Sequence, residues 1–258
     1  MRRLAPAFTA ALAAALLAAG CGGSGGTTAP APKGPPSARH HGKAADYLTD
    51  VERTRAGLVA AADLVYIIHP VGARDQVQFA SKAYAPLSAD VAARIPALDR
   101  EIRAAFGTND QLIARRAPFA SLQVRLGLVQ GQLLDAAYGA ISSEAARSDP
   151  GVQAVALDRL NAQMASSYAA AARNWNTARG RQQYETAWGL FSRVQALWRA
   201  IGAPLGPQKN AVGNALDTIR TQAFPFGAGQ PHTLSPKPAA VAAQAAKIHA
   251  AVGRRFGM

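Results

Sequence analysis

The chain has 258 residues, of which 49% are hydrophobic and 17% are charged, and its formal net charge at pH 7 is +13. Its single cysteine excludes an internal disulfide framework and a cysteine-rich metal cluster. Only four glutamates occur, which disfavours a carboxylate-bridged metal cage. The apolar content is too high for an intrinsically disordered chain, and the length fits one large domain or two small ones.

The N-terminal segment has the pattern of a secretory signal peptide. A basic start, Arg2-Arg3, precedes an apolar stretch over residues 4–19, and small residues lead into Cys21. The ending Leu17-Ala-Ala-Gly-Cys21 resembles a bacterial lipobox, and the resemblance implies that Cys21 carries lipid, palmitate included, as the mature N-terminus. The alternatives are an ordinary cleaved signal with a chance cysteine, or a transmembrane anchor, for which the apolar stretch falls short of about 20 residues.

The residues that follow Cys21 are rich in glycine, serine, threonine and proline. Such tracts bury no apolar surface and stay extended or flexible. We interpret residues 21–42 as a flexible linker between a signal peptide over residues 1–20 and a helical domain over residues 43–258. A lipid on Cys21 would place this domain outside the cytoplasm, anchored to the cell membrane at the cell surface or in the periplasm.

The excess of basic residues indicates which partners suit the domain. Removing Arg2 and Arg3 with the signal peptide lowers the formal charge from +13 to +11. A basic domain held at a membrane attracts anionic lipid headgroups or cell-wall polymers. The sequence contains no recognised nucleic-acid-binding motif, so we expect no nucleic acid as partner, and it identifies no protein partner.

Apolar residues at three- and four-residue spacing predict helices through the rest of the chain. The first predicted helix ends at His69, because the residue before a proline disfavours the helical conformation. The second begins near residue 73, is interrupted at Pro86 and Pro96, and ends at Gly107.

A capping-box pattern, Thr108-x-x-Gln111, predicts the start of a third helix, which has a kink at Pro118. Asp149-Pro150 predicts the start of the fourth, as N-cap and first helical residue. The remaining predicted boundaries are Gly180 between the fourth and fifth helices, Gly202-Ala203-Pro204 after the fifth, a short sixth helix with Val212, Leu216 and Ile219, and Ser235-Pro236 before the last.

These segments predict an all-α fold, a bundle of about six or seven helices behind a disordered linker. Their apolar stripes are wide and rich in alanine, which supplies 61 residues, so helices can approach closely. A coiled-coil rod is the alternative for the third helix.

An aromatic cluster falls on the fourth and fifth predicted helices. We interpret it as core, because most of its members share the apolar stripe; the alternative is a groove for an apolar or sugar ligand, to which the amphipathic rings would be suited. Its members are Tyr168, Trp175, Tyr184, Trp188, Phe191 and Trp198.

The side chains that could carry chemistry are few. None of the histidines forms an H-E-x-x-H arrangement, and no phosphate-binding glycine loop follows a strand. The pattern G-x-S-x-G occurs only at residues 22–26, in the glycine-rich linker, without the strand and helix of a nucleophile elbow. His40-His41 could bind a metal ion weakly, but a solvated polar patch is favoured, and a cationic His69 would suit the end of a helix. We therefore expect no catalytic, cofactor-binding or metal-binding residue, and no cofactor; the other histidines are His232 and His249.

A second resemblance covers residues 80–106. The segments Ala80-Ser-Lys-Ala-Tyr84, Ile95-Pro-Ala-Leu98 and Asp99-Arg-Glu-Ile-Arg-Ala-Ala-Phe106 resemble the extracytoplasmic helical region attached to FTR1-type iron permeases. The resemblance implies a helical domain that works beside a transport system. The permease's membrane helices and its Arg-Glu-x-x-Glu iron motif are absent from this sequence.

Two classes of function follow from these features. The first is a membrane-tethered extracytoplasmic lipoprotein that acts as a binding or interaction module without catalysis. The second is an accessory subunit of a transport system for a metal or a small ligand. The sequence assigns a role to one residue, Cys21, as the lipidation site.

Overall fold

The computed structural model describes residues 42–230 and 235–258. This part of the chain is predominantly helical and contains no β-strand, which confirms the predicted all-α fold. Seven of its helices have 15 residues or more, in agreement with the expected six or seven. The α-helices are α1 (Gly42–Tyr66), α2 (Pro70–Arg94), α3 (Pro96–Ala114), α4 (Phe119–Leu128), α5 (Leu134–Ile141), α6 (Glu144–Ser148), α7 (Pro150–Arg173), α8 (Ala178–Ala200), α9 (Gly202–Leu205), α10 (Lys209–Ala223) and α11 (Pro238–Phe256).

Helix α1 lies at the centre of the bundle and packs against α2, α7 and α8. Two glycines allow this close packing. A Cβ atom at Gly57 on α1 would lie 2.7 Å from the backbone oxygen of Gln76 on α2, and one at Gly189 on α8 would overlap the Ala56 carbonyl of α1. The backbones of α2 and α8 therefore contact α1 directly at these two points.

A buried ionic network crosses the same core. The Glu52 carboxylate accepts hydrogen bonds from Arg55 at 2.5 Å and from Arg193 of α8 at 2.6 Å. Arg55 also pairs with Asp135 and donates to the carbonyl of Gln130 at 3.0 Å, in the π-helical turn Val129–Leu133 that joins α4 to α5. Each buried charge thus has a partner, and the network connects α1 to α8 and to the α4–α5 segment.

The second and third predicted helices have the wrong boundaries. Helix α3 continues through Gly107 and Thr108, so these residues are neither an end nor a capping-box start. The chain breaks later, where Arg116 has a φ of 54°, and Pro118 is the N-cap of α4 rather than a kink. Pro86 lies inside α2 without ending it, whereas Pro96 does start α3.

The predicted boundary at Asp149-Pro150 is confirmed, and the one at Gly180 is wrong. Asp149 caps α7, its side chain accepting the Gly151 N–H at 2.7 Å. Helix α7 ends at Arg173, and Thr177 caps α8 by accepting the N–H of Gly180 at 3.0 Å. A glycine is needed at position 180 because a Cβ atom there would lie 2.6 Å from the carbonyl carbon of Asn174.

One end of the bundle brings together the C-terminus of α1 and the N-termini of α2 and α8. Trp188 on α8 donates to Asp63 on α1 at 2.7 Å, and Tyr184 donates to the carbonyl of Gly227, in the loop after α10, at 3.2 Å. We call this the loop end. Among the described residues, no helix is both long and apolar enough to cross a bilayer.

Candidate functional site

The loop end contains a buried carboxyl group without a full set of partners. Glu185 on α8 is 1% exposed, and its Oε2 atom makes no hydrogen bond within the described part of the chain. The carboxyl group lies against the first turn of α2, where a Cβ atom at Gly72 would be 2.6 Å from Oε1 and 2.9 Å from Oε2. Glycine at position 72 therefore makes the space that the carboxyl group occupies.

Burial raises the pKa of the Glu185 carboxyl from its ordinary 4.5 to about 7. Asp75 adds to the increase, whereas the positive charge of Arg181 and a hydrogen bond from Gln76 oppose it. Near neutral pH this side chain is thus divided between its protonated and ionised forms. A pKa so far from the ordinary value, in a partly enclosed position, is typical of functional sites.

His69 contacts Glu185 as a neutral group. Its Nδ1 atom caps α2 by accepting the Gly72 N–H at 3.2 Å, so Nδ1 carries no proton. The distance from Nδ1 to Glu185 Oε1 is 3.6 Å, longer than a hydrogen bond. Burial, together with the charge of Arg181, lowers the pKa of His69. The pair is therefore not an ion pair, and His69 starts α2 instead of supplying a cation to the end of a helix, as the sequence had suggested.

Glu185 and His69 line a cavity of 140 Å³ at the loop end. Gln230 closes it from the loop after α10; this side chain is 9% exposed, and neither its Nε2 nor its Oε1 atom has a hydrogen-bond partner among the described residues. Arg181, one turn before Glu185 on α8, adds a cation. Buried polar atoms are nearly always paired, so these atoms of Glu185 and Gln230 make the cavity the candidate site within the described part of the chain. The rest of the lining is Leu64, Ile67, Ala228 and Gly229.

His69 also lines a second, apolar cavity of 280 Å³. It is lined by Val65, Ile113, Phe119 and Leu122, among others. Ile68 and Arg116, which also line it, have φ values of 60° and 54°, and Ile68 is 87% exposed. A β-branched residue such as Ile68 is strained in this conformation, and burial of its side chain does not offset the strain because the side chain is exposed. Three exposed apolar side chains line these cavities: Ile67, Ile68 and Phe119. Tyr66, Val71 and Phe226, close in sequence to lining residues, are exposed as well.

The residues that the sequence singled out lie mostly elsewhere. Cys21, His40, His41 and His232 lie outside the described residues. His249 on α11 is exposed and lies 2.9 Å from an Asp158 carboxylate oxygen. Within the described residues, no group of three or more histidine, cysteine, aspartate or glutamate side chains is placed to hold a metal ion.

The aromatic cluster is largely core, as expected. Tyr168, Tyr184 and Phe191 are buried, and Phe224 from the end of α10 completes the cluster, with its ring centroid 5.2 Å from that of Phe191. The three tryptophans are partly buried and pack against this core. Within the described part of the chain, the six rings are therefore either buried in the core or packed against it.

The segment that resembles the permease region forms a self-contained polar cluster at the other end of α2. Asp99 on α3 accepts the Tyr84 hydroxyl at 3.0 Å and pairs with Arg103 at 3.0 Å. Ser88 donates to the same carboxylate. These polar groups satisfy one another, and they join α2 to α3.

Sequence reasoning missed Glu185, Arg181 and Gln230. The available signal was Glu185 itself, one of only four glutamates, which lies beside the apolar stripe of Tyr184 and Trp188 on the same helix. Gln230 carried no signal, because the loop after α10 has no periodic pattern.

Glu185 should make the stability of the protein depend on pH. The folded state binds this proton more tightly than the unfolded chain does, so the stability present below about pH 4.5 is lost as the pH rises through 7. Over this range we expect the parent to lose up to about 3 kcal/mol relative to Glu185→Gln, measured by urea unfolding at several pH values. The matched control is Glu144→Gln, at the exposed start of α6, which should follow the parent. Parallel pH profiles for the parent and Glu185→Gln would show that the carboxyl group titrates normally.

No protein-family model, no curated protein and no solved structure matches this chain.

Proposed function

We propose that the protein is a membrane-tethered extracytoplasmic lipoprotein whose helical bundle acts as a binding module without catalysis. Two features support the two halves of this proposal. The only cysteine of the chain follows a signal-peptide pattern directly, at Cys21. The bundle contains a cavity lined by Glu185 and Gln230, whose side chains have polar atoms without hydrogen-bond partners among the described residues.

The single observation that carries the binding role is the Oε2 atom of Glu185, which is buried and has no hydrogen-bond partner among the described residues. Burying a carboxyl oxygen without a partner costs stability, and an apolar side chain would avoid that cost. A ligand that supplies the missing partners removes it on binding. The exposed apolar side chains around the cavity leave the same end of the bundle free to meet a larger partner.

A test of the anchor is the substitution Cys21→Ser. We expect the variant to leave the membrane fraction, because stable anchoring by lipid depends on acyl chains attached to the protein. Fractionation with a high-salt wash measures this, and mass spectrometry of the N-terminal peptide should find acyl groups on Cys21 in the parent. The control is Ser24→Ala, three residues further along, which should stay membrane-bound. An unmodified Cys21 in the parent, or a variant that resists the wash, would contradict the lipoprotein proposal.

A test of the binding role is native mass spectrometry of the purified Cys21→Ser chain. A small molecule retained by this chain should be lost when Glu185→Gln is added and kept when Glu144→Gln is added. If the Glu185→Gln variant retained the molecule as the parent does, the molecule would be bound outside this cavity. The cavity also favours the small-ligand form of the second function, in which the protein is an accessory subunit that receives a solute for a transport system.

A further inference from the structure

Two opposite charges line the polar cavity without neutralising each other. Arg181 and Glu185 are four residues apart on α8, a spacing at which such side chains commonly pair on a helix surface. Here Glu185 Oε2 has no partner within the described residues, while the charge of Arg181 acts on both Glu185 and His69. The cavity thus presents a carboxyl group and a guanidinium cation to the same partly enclosed space.

The charges on the walls restrict what can enter. A ligand with only an ammonium group would be attracted by Glu185 but repelled by Arg181. A ligand with only a carboxylate would be attracted by Arg181 but repelled by Glu185. A ligand that carries both charges faces each wall with the opposite sign. Hydrogen bonds between oppositely charged groups are stronger than those between neutral groups, so such a ligand would gain from both contacts.

The neutral part of the lining sets the size and polarity of the ligand. The amide of Gln230, which has no hydrogen-bond partner among the described residues, can both donate and accept a hydrogen bond. Leu64, Ile67 and Ala228 supply an apolar wall. The volume of 140 Å³ holds only a few non-hydrogen atoms beyond the charged groups.

We propose that this cavity is a binding site for a small zwitterion of the size of a small amino acid, with its ammonium group on Glu185 and its carboxylate on Arg181. The proposal rests on the binding role proposed above and specifies its ligand class. Gln230 forms hydrogen bonds with the remaining polar atoms of the ligand's ammonium and carboxylate groups. A short apolar side chain of the ligand faces Leu64 and Ala228.

Binding should change the protonation of the site. An ammonium group beside Glu185 favours the ionised carboxylate, so its pKa falls on binding. Near pH 7, where the free side chain is partly protonated, the carboxylic acid O–H bond breaks and the proton passes to the buffer. The heat of binding should therefore differ between buffers of different ionisation enthalpy.

The experiment is isothermal titration calorimetry on the purified Cys21→Ser chain with L-alanine as the probe. Methylammonium and acetate, which carry one charge each, are the matched ligands. We expect each of these to bind at least about tenfold more weakly than alanine, because each forms only one of the two charged contacts. Glu185→Gln and Arg181→Gln should each weaken alanine binding by about tenfold or more.

The matched control variants are Glu144→Gln, on α6, and Arg179→Gln, which removes a cation two residues before Arg181 outside the cavity lining. Both should bind alanine as the parent does. Circular dichroism of all four variants checks that the bundle is intact; if Arg181→Gln is unfolded, Arg181→Lys, which keeps the charge, should retain more affinity than Glu185→Gln.

Four outcomes would overturn the proposal. Absence of heat with alanine would mean that alanine does not bind, and an alanine affinity that is unchanged in Glu185→Gln would mean that alanine binds outside this cavity. Methylammonium that binds as tightly as alanine would mean that Arg181 takes no part. Failure of alanine in a protein that still retains another molecule through Glu185 would reject the zwitterion class and leave the binding role standing.

Discussion

Replacing Trp188 by alanine should lower the free energy of unfolding by about 3 kcal/mol, the cost of removing a large aromatic ring from a packed cluster. The ring of Trp188 lies 5.6 Å from that of Phe224 and 6.0 Å from that of Phe191, centroid to centroid. Its indole N–H also donates to Asp63 at 2.7 Å. The substitution thus leaves both a cavity and a half-buried carboxylate without its donor, and urea unfolding measures the sum.

Two further variants separate these contributions. Trp188→Phe keeps a ring and removes the donor, so its smaller loss, about 1–2 kcal/mol, reports mainly on Asp63. Trp198→Ala, near the other end of α8, removes a ring whose N–H makes only a 3.4 Å contact with the Lys209 carbonyl. If Trp188→Ala were no more destabilising than Trp198→Ala, Trp188 would be part of a solvated surface rather than of the core.

The sequence predicted the helices well wherever the core itself sets the pattern. Tyr184, Phe191 and Val194 recur at the spacing of one helix face, and all three are buried. A buried face leaves a periodic trace because every turn must present an apolar side chain to the same neighbour. The fold class, the central helices and the start of α7 were therefore accessible from the sequence.

Helix boundaries were less accessible, because local signals compete with tertiary packing. Gly107 and Thr108 look like an end and a start, yet α3 continues for six residues beyond Thr108 so that Ile113 can be buried. The actual break requires a φ of 54° at Arg116, a residue that gives no local sign of it. Burial of one isoleucine outweighs a weak glycine signal.

The candidate site was beyond sequence reasoning for a geometric reason. Its residues come from the end of α1, the α1–α2 loop, the first turns of α8 and the loop after α10, which are brought together only by the packing of α1 between α2 and α8. No spacing along the chain encodes that meeting. A buried glutamate also looks like a solvated one until the neighbouring helix is in place, here the first turn of α2 at Gly72.

Because α1 packs so closely against α8, we expect Gly189→Ala, which adds a single methyl group, to lower the free energy of unfolding. The added methyl group would overlap the backbone oxygen of Ala56, lie 2.9 Å from its carbonyl carbon and lie 3.2 Å from the Ala60 Cβ atom. Backbone atoms in the middle of a helix cannot move aside alone, so α1 and α8 must separate. We expect a loss of about 1–3 kcal/mol, although alanine is intrinsically the better helix former.

The matched control is Gly107→Ala, in the interior of α3, where a Cβ atom would meet nothing within 4 Å. This variant should be more stable than the parent by about 0.5–1 kcal/mol, because only the helix preference changes. Helix propensity favours alanine equally at both positions. If Gly189→Ala lowers the stability and Gly107→Ala raises it, the difference therefore reports on the α1–α8 contact. A gain in stability for Gly189→Ala would show that the two helices are not in backbone contact. A loss for Gly107→Ala would instead favour the helix end that the local sequence suggested at that glycine, where a left-handed conformation disfavours alanine.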